Sequence, residues 1–106
     1  MTQQPQPPSR PHEPAPVEPD PVDRVAEVVV GVPGVTGLHA GSFGEVATYL
    51  PGRSVAGVRR RDGVTEVHVT VAMGTAIPAT ARQVRDAVEA LTGDEVHVVV
   101  EDVSPA

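Results

Sequence analysis

Phe43-Gly-Glu-Val-Ala-Thr-Tyr-Leu-Pro-Gly-Arg53, Ser54-Val-Ala-Gly-Val-Arg-Arg-Arg-Asp-Gly-Val64 and Thr65-Glu-Val-His-Val-Thr-Val-Ala-Met-Gly74 run without interruption through the middle of the chain. Leu50-Pro51-Gly52 reads as a turn. Asp62-Gly63 suits a type I′ turn, in which both central residues need positive φ. It joins a strand expected over Arg53–Arg60 to one expected over Val64–Ala72. The second strand alternates: Val67, Val69 and Val71 on one face, Glu66, His68 and Thr70 on the other. One buried face and one wet face is the pattern of an antiparallel sheet covered on a single side.

Elements on either side extend this hairpin. Asp20-Pro21-Val22-Asp23 starts a helix, with Asp at the N-cap, Pro at the first helical position and an acid at the third. Val22, Val25, Ala26, Val29 and Val30 recur at helical spacing until Gly31 and Pro33 stop them. Val32-Pro-Gly-Val35 is a turn. Val35–Ala40 forms a strand with Val35 and Leu38 inward, and Glu45–Leu50 forms another. A second helix opens at Pro78, with Ile77, Ala81, Val84, Val88 and Leu91 as one apolar stripe. Gly93 ends it as a left-handed cap. Glu95–Val103 is a final strand, with Val96, Val98 and Val100 inward and His97, Val99 and Glu101 outward. If that strand lies parallel to Val64–Ala72, the crossover is right-handed. The expected architecture is α+β, in the order α-β-β-β-β-α-β. It is a two-layer sandwich with two helices on one face of a mostly antiparallel sheet.

Composition narrows the functional classes. One domain is the expected count for 106 residues. Val supplies 22 of them, and Phe43 and Tyr49 are the only aromatics, so the core is thin and β-branched. All eight positive charges are Arg, and the net charge is −6. That balance disfavours nucleic-acid binding, which needs a basic surface. With no Cys, disulfides, thiolate metal sites and a Cys nucleophile are excluded. No apolar run approaches the roughly 20 residues of a membrane span. No signal-peptide layout opens the chain. A cytoplasmic protein is expected. Residues 1–21 hold eight of the twelve prolines and read as a disordered, extended leader. Pro5-Gln-Pro-Pro8 and Pro8-Ser-Arg-Pro11 match the spacing of Pro-module ligands, against the plainer reading of a solubilising tail. The domain spans 22–103, and 104–106 is a short tail.

Candidate chemistry is sparse. His39, His68 and His97 all fall on expected strands. His68 and His97 share the wet face with Glu66 and Glu101, so a His/His/Glu metal or ligand sensor is one reading. Solvated sheet residues are the other. No Ser sits in a Gly-x-Ser-x-Gly elbow, and no Lys exists to complete a phosphate loop. Arg59-Arg60-Arg61 clusters at the hairpin tip. It reads either as a contact for an acidic partner or anionic headgroup, or as a charged guard on an exposed strand. No catalytic residue, cofactor or metal is expected.

Several stretches together resemble one family. They are Gly31-Val-Pro-Gly-Val-Thr-Gly-Leu38, Gly57-Val58 with its hairpin, Val67-His-Val-Thr-Val-Ala-Met-Gly74, Ile77-Pro-Ala-Thr-Ala81, Val84-Arg-Asp-Ala-Val88 and Leu91-Thr-Gly93. The chain from about 22 to 103 resembles the alkaline-shock proteins of Gram-positive bacteria, which serve the envelope stress response. Met73 stands where the family has an aromatic, and the helix from Pro78 is shorter than the family's. The resemblance implies a non-enzymatic cytoplasmic protein lying beneath the cell membrane. It also implies self-association into a homo-oligomer and a small membrane-anchored partner. Arg59, Arg60, Arg61, His68 and His97 are the candidate interaction residues. The surface of the sheet and its edges are the expected contact.

Overall fold

The computed structural model describes residues 20–105. The leader expected over 1–21 therefore lies outside the described residues except for Asp20 and Pro21, which belong to the first helix. That helix, α1, covers Pro21–Val30. The Asp20 side chain accepts from the Val22 amide at 2.9 Å, and the Asp23 side chain accepts from the Asp20 amide at 3.0 Å. This reciprocal cap satisfies amides that the first turn leaves without partners. Replacing Asp20 by Ala is expected to cost about 1 kcal/mol. A thermal melt checks this as a fall in Tm of about 4–8 °C.

Six strands follow the expected regions: β1 (Val35–Leu38), β2 (Ala47–Leu50), β3 (Arg53–Ala56), β4 (Val58–Arg61), β5 (Val64–Ala72) and, after helix α2 (Ile77–Thr92), β6 (Glu95–Ser104). The α+β class and the two-layer packing hold. Asp62 and Gly63 both take positive φ, 53° and 76°, as the tight turn requires. Gly93 caps α2 in the left-handed region, at φ 73°.

The strand expected over Arg53–Arg60 is divided. Gly57, at φ 85°, breaks it into β3 and β4, which belong to different sheets. β2 and β3 form a two-stranded hairpin around Pro51-Gly52, with Tyr49 opposite Ser54. Arg53 at its tip donates to both carboxylate oxygens of Asp23 at 2.7 Å, tying the hairpin to α1.

β5 is the centre of the main sheet. One of its sides pairs along its whole length with β6, in parallel. Its other side is shared. β4 pairs antiparallel with residues 64–67, and β1 takes over antiparallel from Val69 to Val71. The exchange happens at His68. Its amide donates to the Gly57 carbonyl, and its carbonyl accepts from the His39 amide, both at 2.9 Å.

Both helices pack on one face of this sheet. The core they close is built from ten valines: Val22, Val25 and Val29 of α1, Val58 of β4, Val67, Val69 and Val71 of β5, Val84 and Val88 of α2, and Val96 of β6. The alternation of β5 and β6 and the helical stripes predict every member of this set except Val58. The ends of the α2 stripe, Ile77 and Leu91, stay partly exposed. Val35, Leu38, Val98 and Val100 border the core rather than sitting inside it.

Candidate functional site

The face of the sheet away from the helices carries a chain of charged side chains. Strand alternation places Arg59 of β4, Glu66 and His68 of β5, and His97 of β6 on this face, and the ladder register brings the first three together. Arg59 lies opposite Glu66, and Glu66 lies opposite His97. The Arg59 guanidinium donates to Glu66 Oε1 at 2.7 and 3.2 Å. The other Glu66 oxygen is 2.7 Å from His68 Nε2, and His68 Nδ1 is 2.6 Å from Glu101 Oε2. Ionised carboxylates only accept, so both contacts are hydrogen bonds when both ring nitrogens carry a proton.

His68 is not the wet residue that the alternation implies. It is 7% exposed. Glu101 closes over it because β6 carries a bulge: Val100 pairs with Val69 and Asp102 pairs with Thr70, leaving Glu101 without a partner in the ladder. Glu66 is held below the ordinary carboxylate range, first by the hydrogen bond from His68 and then by Arg59, against a smaller opposing effect of burial.

His97 is elsewhere. Its Nε2 lies 2.6 Å from Glu95, on an exposed stretch of β6. The structure does not bring His68 and His97 to a common point. Among the described residues no group of three or more His, Asp or Glu side chains has the arrangement of a metal site.

The three arginines of the hairpin tip are separated by the strand's own alternation. Arg59 is taken up by Glu66 on the outer face. Arg60 points to the helical side and donates to Asp94 Oδ2 at 2.8 Å, where the Thr65 hydroxyl also donates at 2.7 Å. Those two contacts, Thr65 first, hold Asp94 below its ordinary pKa. Arg61 is exposed and makes no ion pair among the described residues.

Two features escape a reading of the sequence. Phe43 and Tyr49 are 92% and 76% exposed. The Glu45 carboxylate accepts from the Phe43 amide at 2.9 Å in the loop that carries the exposed Phe43 ring. The second is the position of β6. Among the described residues β6 pairs only with β5, so one side of a ten-residue strand is open. Arg82 and Arg85 of α2 line a shallow groove along this side, facing Val96–Val99. Val99 and Val103 are among the exposed apolar side chains of the domain.

No family model matches the chain, and no curated protein matches it. Among solved structures, the MamM CTD aligns at 17% identity and a TM-score of 0.41, over 81% of this chain and 90% of that chain. A superposition that loose carries no conclusion about function. No helix among the described residues is long and apolar enough to cross a membrane.

Proposed function

We propose that this protein works by contact rather than by catalysis. It is an adaptor or scaffold of the alkaline-shock type that self-associates through its sheet and is held at the inner face of the cell membrane by a membrane-anchored partner. The open side of β6 carries the proposal. A strand edge presents a row of amides and carbonyls that pair readily with another chain. Natural edges are blunted with prolines, charges, bulges or covering elements. β6 has no proline within it, its bulge lies toward its C-terminal end at Glu101, and three consecutive valines, Val98-Val99-Val100, occupy its middle. The motifs behind the family resemblance support the same picture. Gly34, Gly57, Gly74 and Gly93 all adopt positive φ. They shape the fold that presents the edge and leave no catalytic group in the resemblance.

Two measurements test the proposal. Light scattering on the full chain at micromolar concentration is expected to give a mass above the 11.0 kDa monomer. Fractionated cells are expected to retain the protein on membranes through a crosslinkable small membrane protein. A wholly soluble protein that recovers no membrane-bound partner would sink the adaptor reading.

A further inference from the structure

The β6 edge and the helix beside it share a pattern that selects a specific occupant. Arg82, Arg85, Asp86 and Glu89 are spaced three, one and three residues apart, so they form one exposed stripe of α2. Arg82 and Arg85 border the groove beside β6, so this stripe lies along the open edge. The stripe is basic in its first half and acidic in its second. Reversed against itself, it sets Arg82 beside Glu89 and Arg85 beside Asp86. A two-fold axis normal to the sheet makes this match, and such an axis also brings two β6 edges together in antiparallel.

β6 itself narrows the axis to one residue. Directly opposed residues of an antiparallel pair share a face, so the axis must pass through a residue and not between two. An axis through Val98 sets Glu95 against the second copy's Glu101, which like charge disfavours. An axis through Val100 sets Val98 against Asp102 and Val99 against Glu101. An axis through Val99 sets Val99 against Val99, Val98 against Val100, and His97 against Glu101. Of the three, that register alone opposes a base to an acid and no acid to an acid; its Val96–Asp102 and Glu95–Val103 oppositions fall outside the central five residues, at and beyond the bulge. It also falls level with the centre of the α2 stripe, because Arg85 borders the same groove as Val98 and Val99.

We propose that two copies of this chain join β6 to β6 about a two-fold axis at Val99, with Arg82 and Arg85 of each α2 meeting Glu89 and Asp86 of the other. The proposal rests on the self-association reading above and makes it specific. The two main sheets become one continuous sheet, with α2 of each copy flanking the seam.

The absence of cysteine from the chain makes the axis directly testable. Opposed antiparallel residues hold their Cα atoms about 4.5–5.5 Å apart. Disulfides accept about 4.4–6.8 Å. Full-length chain carrying Val99→Cys is expected to oxidise to a disulfide-linked dimer. Chain carrying Ser54→Cys, on the distant β2–β3 hairpin, is expected to remain unlinked. Arg82→Glu with Arg85→Glu is expected to weaken the dimer at least about tenfold, because four pairs of like charges then meet across the axis. Adding Asp86→Arg and Glu89→Arg is expected to restore it, with an unchanged circular dichroism spectrum throughout. A stable dimer whose Val99→Cys form stays reduced overturns this interface and leaves self-association standing. A monomer at every concentration overturns both.

Discussion

Valine in place of Gly57 is expected to leave the chain unfolded at 37 °C. Gly57 lies where β3 ends and β4 begins, and it adopts φ 85°, a left-handed conformation that β-branched residues resist. Space is short as well. A Cβ built there would stand 2.7 Å from the Leu38 Cβ and 3.0 Å from both the His39 nitrogen and the His68 oxygen. Two of those neighbours are backbone atoms that hold the change of strands along β5, so they cannot move aside singly. The conformational strain costs about 1–3 kcal/mol. The overpacking costs a further 1–3 kcal/mol, roughly. Small domains hold only about 5 kcal/mol in total. Gly63 is the control. It also takes positive φ, yet nothing lies within 4 Å of an added Cβ. Gly63→Ala is expected to cost about 1 kcal/mol. Urea titration followed by circular dichroism separates the two. Equal losses at Gly57 and Gly63 would show that crowding at the strand exchange contributes nothing.

His68→Ala is expected to lower Tm by roughly 10–20 °C. Where both ring nitrogens carry a proton, the change removes two charge-assisted hydrogen bonds, together about 2–3 kcal/mol, at about 4–8 °C per kcal/mol. Solvent reaches Glu66 and Glu101 in part, which keeps the loss below that of a fully buried pair. The acid limb of stability is expected to change with it. Glu66 has a folded-state pKa below its unfolded value, so it stabilises the fold fully above about pH 4.3 and loses that contribution as the pH falls through the lower folded value. Asp94, held down by Thr65 and Arg60, and Asp23, held down by Arg53, act in the same direction. The charged groups around His68 are Glu66, Glu101, Arg59 through Glu66, and more distantly Glu45. Without His68 the largest cause of the Glu66 shift is gone. The fall of the urea midpoint as the pH drops below about 4.3 should then be shallower in the variant. Equal slopes in the two proteins would contradict the coupling.

The legible parts of this fold are the parts written in local pattern. The cap at Asp20, the stripes of α1 and α2, the Asp62-Gly63 turn and the alternation of β5 each depend on residues a few positions apart; the cap, the turn and the inward valines appear as read, while Val30, Ile77 and Leu91 at the ends of the stripes are exposed. The break at Gly57 did not emerge because Arg53–Arg60 alternates plausibly as one strand. Its signal was present, since a glycine inside a strand marks a close backbone approach. The burial of His68 was illegible for a different reason. Alternation correctly assigns it to the face away from the helices, but Glu101 reaches it only through a bulge in a strand 33 positions further along. Arg59 and Arg60 formed a single cluster in sequence, and the pleat sends them to opposite faces. The open edge of β6 depends on sheet order, which no segment of the sequence encodes by itself.

The all-valine core has a consequence for alignment. The inward positions of β5 are Val67, Val69 and Val71, and those of β6 are Val96, Val98 and Val100. Sliding β6 by two residues keeps every side chain on its own face and sets valine against valine again. Packing therefore distinguishes poorly between the native alignment and its neighbours two residues away. The discrimination passes to polar groups at the start and in the middle of the strand pair. Asp94 is fixed to Thr65 and Arg60, the Glu95 amide donates to the Gly63 carbonyl at 3.0 Å, and Glu101 is fixed to His68. These contacts act as detents on a smooth slide. They hold in place the strand whose far side is offered to a second copy.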